Sequence, residues 1–250
     1  MNEVHVHQAF SLALAASFAA AGLFRLERPA AARAAALIAM AANAAAVGLV
    51  ILIAKRPPLF GAMEAFPYIA LVGGIAAWIG DRRPGAVQTS PAAWAIGAFL
   101  LALAPLSTYT LNADYFMYAS PWAQGFFFMR MTAMALLACA AAPCLGALLP
   151  DRTEDERAQL AARGRVHLVL AAAAFLCGEL CGSVWCLLGW GDTWQWNFNF
   201  FMGYGMFLLI MIPCHLPPRL AASPRTRAAV SLAASVTILA VYVAQQFLEA

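Results

Sequence analysis

From its amino end the chain alternates apolar runs of about 20 residues with short polar breaks, and each run can cross about 30 Å of hydrocarbon as a helix. The pattern predicts eight spans, at about 7–24, 34–54, 59–80, 91–106, 123–149, 166–189, 198–214 and 228–247. The breaks between them are short. No internal repeat or change in composition marks a second domain. The fold class expected is all-α: a single polytopic membrane bundle over residues 1–250, with a Trp-rich outer loop at about 189–198.

Composition agrees with this pattern. Hydrophobic residues make up 64% of the chain and charged residues 11%, with a mean hydropathy of +0.75. That is too little charge to cover a soluble domain of this length. The net charge of +3 gives no reason to expect nucleic acid as a partner. The basic residues set topology instead. Arg25, Arg28, Arg33, Arg82, Arg83, Arg152, Arg157, Arg163, Arg165, Arg219, Arg225 and Arg227 all fall in alternate breaks, against only Lys55 and Arg56 in the others. Basic loops stay cytoplasmic, so both termini and the loop near residue 190 are expected outside. The expected location is an inner (plasma) membrane of bacterial type, with the Trp-rich loop facing the periplasm. A cleavable signal peptide needs a basic start, and Met1–Gln8 contains neither Lys nor Arg, so a retained first helix is expected.

Charges inside spans are costly and mark functional positions by default. Arg130 lies about two turns into the fifth span, Glu179 near the middle of the sixth, and Glu64 near the outer end of the third. Arg130 either forms an ion pair with one of these glutamates or receives an anionic group of a ligand. His5 and His7 precede the first span on the outside, whereas His167 and His215 stand at inner ends, about 30 Å from the tryptophans. A single flat cofactor therefore cannot reach both ends. Cys177 and Cys181 sit one turn apart and read as small packing residues rather than a metal pair. Ala174, Gly178 and Gly182 repeat every four residues, which lets a neighbouring helix approach closely.

The segment Gly189–Asn197, GWGDTWQWN, places Trp190, Trp194 and Trp196 within seven residues. Tryptophans gather at bilayer interfaces in any case. At this density they also suit an apolar platform for a flat aromatic ligand. The segment resembles the tryptophan signature, about WG-x-x-W-x-WD, of the CcsA/ResC and CcmC/CcmF haem-handling proteins of cytochrome c assembly. Gly182-Ser183-Val184-Trp185 resembles the Gly-x-x-Trp that precedes that signature. Arg56-Pro57-Pro58-Leu59 with Met63-Glu64, and Ala119-Ser120-Pro121-Trp122, resemble further segments of the family, and Trp196 to His215 is similar to its spacing from the last Trp to a membrane histidine.

The resemblance implies a haem b cofactor. Trp190, Trp194 and Trp196 would form its platform, His215 would be a membrane ligand to its iron, and Arg130 would pair a propionate. It also implies a membrane partner with an outer domain, and an apocytochrome c as acceptor. The activity implied is at most that of one component of a haem lyase, or cytochrome c synthase. The sequence departs from the family in several places: Asn197 replaces the signature aspartate, Phe198-Asn199-Phe200-Phe201 replaces the charged residues that follow it, Phe126 stands where an outer histidine is expected, and no histidine lies deep in the first span. His7 or His5 lies on the correct side to substitute as an iron ligand, and Met129 is a further soft donor. These departures support an alternative, in which the scaffold serves as a haem-poor subunit of a larger membrane redox or photosynthetic complex and the Trp loop is a docking surface. Transport of another small substrate, resting on Glu179 and Arg130 alone, is a third reading.

Overall fold

A computed structural model describes residues 3–55, 57, 61–80, 89–106, 119–193, 198–217, 219 and 223–248. These residues form eight α-helices and no strand: α1 (Glu3–Arg25), α2 (Pro29–Ala54), α3 (Ala62–Gly80), α4 (Ser90–Leu103), α5 (Pro121–Leu148), α6 (Glu154–Trp190), α7 (Phe198–Cys214) and α8 (Pro224–Leu248). A 3-10 turn, Ala104–Leu106, extends α4. Six of the helices are long and apolar enough to cross a membrane, and α4 with its turn and α7 are shorter apolar helices. The chain is an integral membrane protein built as a helical bundle.

Local chemistry sets several of the helix ends. Proline opens α2, α4 and α5 at a position where its missing N–H costs nothing. Ser120 caps α5 by accepting from the Trp122 N–H at 3.3 Å. The expected boundaries hold within five residues except at one place. The sixth helix was expected to begin at Val166, and it begins at Glu154. Hydropathy finds only the part of a helix that meets lipid, whereas the first three turns of α6 are polar and stand outside it. They are nucleated by a capping box: Glu156 N–H donates to Thr153 Oγ1, and Thr153 N–H donates to the Glu156 carboxylate at 3.0 Å. That backbone N–H, followed by Arg152, holds the Glu156 carboxyl below its ordinary range. Acidification through that lowered value removes the cap's contribution, which is present at neutral pH.

Helix α5 is the hub of the bundle. It packs against α3, α4, α6 and α8, and from Met131 to Cys144 it is buried nearly all round. Within lipid, helices associate through close packing rather than hydrophobic drive. The small residues of α6 supply that closeness. Gly164, Gly178 and Gly182 are buried, and a methyl at any of them would meet α5. At Gly182 it would lie 2.7 Å from the Phe126 ring. Gly182→Ala is therefore expected to destabilise the protein by about 1–3 kcal/mol, read as a lower unfolding midpoint in detergent. Gly189→Ala, where an added methyl meets nothing within 4 Å, should leave the midpoint unchanged or raise it.

Candidate functional site between helices five, six and seven

Trp122, Phe126 and Arg130 recur every four residues and so share one face of α5. Arg130 turns towards α6, where its Nε and Nη2 donate to Glu179 Oε1 at 3.0 and 2.7 Å. Of the two glutamates open to it from sequence, Arg130 thus pairs with Glu179; Glu64 is buried in the first turn of α3. The guanidinium also lies 4.4 Å from the Phe126 ring centre and 5.2 Å from that of Phe175. Aromatic faces stabilise a cation held against them. Helix α7 closes the third side with Gly203, where any Cβ would collide with Arg130 Nη2. The absence of a side chain at Gly203 is what lets α7 reach the pair.

Aromatic rings continue from this pair towards the end of α6. Phe126 and Phe127 pack on Trp185 at 6.2 and 6.1 Å, and Trp185 meets Trp190 edge-on at 5.5 Å. Trp190 stands about three turns above Glu179 on the same helix, half exposed. Gly191 then ends α6 in the left-handed conformation, φ +75°, with its N–H bonded to Leu187 O at 3.0 Å. The helix ends differ in depth. From Glu179 to Trp190 α6 rises about 16 Å, while α7 rises only about 8 Å from Gly203 back to Phe198. The start of α7 therefore falls short of the end of α6. Trp194, Trp196 and Asn197 lie outside the described residues, as do Arg56, Pro58 and Leu59.

His215 lies at the other end of the bundle, just past α7. Its Nδ1 is 3.1 Å from Met211 O. A carbonyl only accepts, so this contact is a hydrogen bond when Nδ1 carries a proton. The residue is exposed, and metal-binding histidines commonly make such a bond through the nitrogen that is not on the metal. Arg165 of α6 reaches Cys214 O at 3.5 Å and ties the start of α6 to the end of α7. His7 is exposed near the start of α1, a helix that packs chiefly on α2 and α4. His5 Nδ1 lies 3.3 Å from Gln8 Oε1. Met129 is partly buried on α5, and its Cβ is among the atoms that leave no room for a side chain at Gly178. Cys181 packs against Gly125 of α5, while Cys177 faces outward.

The structure thus brings Arg130 and Glu179 together, sets Trp190 about 16 Å further along α6, and leaves His215 about 18 Å along α7 from Gly203 in the opposite direction. Sequence reasoning missed Gly203 and the joining role of Phe126, Phe127 and Trp185. The four-residue spacing of Trp122, Phe126 and Arg130 was the available signal.

No family model matches the sequence, and no curated protein matches it. Among solved structures, one of the cytochrome c heme lyase CcmF is similar over 100% of this chain, with a TM-score of 0.71 at 17% identity. The match takes in 49% of that protein, so this chain spans about half its length. The protein is a membrane helical bundle whose fold is similar to that of the matched half of the cytochrome c heme lyase CcmF.

Proposed function

We propose that the protein handles haem in the manner of cytochrome c assembly, holding haem b against the outer aromatic wall and presenting it to an apocytochrome c. The observation that carries this reading is the run of rings from Phe126 through Trp185 to Trp190, set directly above the Arg130–Glu179 pair. Indole rings present broad apolar faces that suit a flat macrocycle. Glu179 engages Arg130 through Nε and Nη2, so the guanidinium is already oriented; Nη1 remains to meet an anionic group such as a propionate. Trp194 and Trp196 belong to the same platform in this reading. The platform faces the periplasm, and a membrane partner with an outer domain brings the acceptor.

The residues fit haem unevenly. His215 is exposed, and with Nδ1 against Met211 O its Nε2 is the nitrogen that would meet haem iron at the inner end. On α5, Phe126 is wedged between Arg130 and Gly182 and offers no donor atom. An outer iron ligand therefore has to come from elsewhere, with His7 the candidate on this chain. When bound, the haem supplies the redox chemistry. The protein binds and orients it and shields one face from water.

Phe126 also favours the second reading, a haem-poor subunit whose Trp loop docks a larger redox or photosynthetic complex. Purification in mild detergent separates the two. A Soret band in the isolated protein, together with loss of holocytochrome c in a deletion strain, supports haem handling. A colourless chain in fixed stoichiometry with a larger complex, and unchanged c-type haem staining in the deletion strain, supports the subunit.

A further inference from the structure

A second polar feature lies among α1–α4. Asn43 of α2 and Ser17 of α1 are each only 3% exposed, deep within spans where no bulk water can solvate them. Asn43 Nδ2 donates to Pro67 O of α3 at 2.8 Å. That carbonyl can only accept, which fixes the orientation of the amide. Asn43 Oδ1 is then buried, with no hydrogen-bond partner among the described residues. A buried acceptor left in that state forfeits the hydrogen bonds it makes to water in the unfolded chain. Ser17 Oγ donates its one hydrogen to Ala13 O at 2.7 Å, so its oxygen faces its surroundings as an acceptor.

Both side chains line one cavity of about 20 Å³, bounded also by Met40, Gly74, Trp94 and Cys139. About 10–15 Å³ on this measure admits one water molecule, and the cavity is too small for a larger ligand. The two acceptors match the two hydrogens of a water. We infer that this cavity binds one water molecule, which donates to Asn43 Oδ1 and Ser17 Oγ. The water completes the coordination of Asn43 and links α1 to the α2–α3 contact at Pro67. Gly74 helps to shape the site: a methyl there would lie 3.1 Å from the Trp94 ring that closes one side. The site is remote from Arg130 and Trp190 and does not depend on the haem reading.

X-ray radiolysis of the full chain in detergent, followed by mass spectrometry, tests the inference. Hydroxyl radicals formed from a bound water modify the side chains around it. Cys139 lines the cavity and is 7% exposed; Cys186 does not line it and is 5% exposed. Cys139 is expected to be modified several times faster than Cys186. Asn43→Leu and Ser17→Ala should each bring it down to the Cys186 rate. Ser17→Ala removes a single oxygen and keeps the test intact if the Leu variant does not fold. Equal rates at the two cysteines in the unmodified protein would overturn the inference, as would a Cys139 rate indifferent to Ser17→Ala.

Discussion

Arg130→Ala is expected to destabilise the protein by about 3 kcal/mol, because it leaves the Glu179 carboxylate without its cation inside the bundle. The pair joins α5 to α6, and Gly203 of α7 is packed on it, so its loss loosens three helices at once. The two side chains are about one-sixth exposed, which keeps the expected cost at the lower end of the range for buried pairs. Desolvation makes a specific signature. Arg130→Leu combined with Glu179→Leu removes both charges and should recover much of the stability lost in either single variant. Unfolding midpoints in detergent for the two singles and the double give the coupling directly. Additive losses would mean that the pair does not act as a unit. In the haem reading Arg130→Ala also weakens outer haem retention, and the double variant, which recovers stability, does not recover that.

In the haem reading, His215→Ala is expected to abolish iron ligation at its end of the bundle while leaving the fold intact, since the ring is exposed and its side-chain bond among the described residues is to the preceding turn. The protein in detergent should lose the part of its Soret absorbance that arises from this site. In the same reading Trp190→Ala should act at the other end, weakening haem retained against the aromatic wall without changing the His215-dependent signal. Two separable losses follow from the helix rises, about 16 Å from Glu179 to Trp190 and about 18 Å the other way from Gly203 to His215, a span that one macrocycle cannot bridge. His215→Ala with an unchanged spectrum would remove His215 from the proposal.

The bundle was legible in the sequence because lipid imposes one rule, a run of about 20 apolar residues, on every span. Ends set by proline or a serine cap were close for the same local reason. The polar start of α6 was not legible from hydropathy, since Thr153–Glu156 nucleates helix where no lipid is present. Arg130 stood out because a charge in a span needs a partner, but which glutamate it meets depends on the packing of α5 on α6. The small-residue repeat announced that contact. Gly203 carried no such mark: its meaning depends on a guanidinium from α5 arriving beside α7. Phe126 was visible only as the lack of a histidine, whereas in the fold it carries the contact between Arg130 and Trp185.

The most direct test is a high-resolution density map of the protein purified in mild detergent, read at Trp185 and Trp190. The haem reading expects a porphyrin-sized planar density against these indoles, with a negatively charged edge near Arg130. Density for another polypeptide covering the same rings, with no space left for a macrocycle, would contradict it.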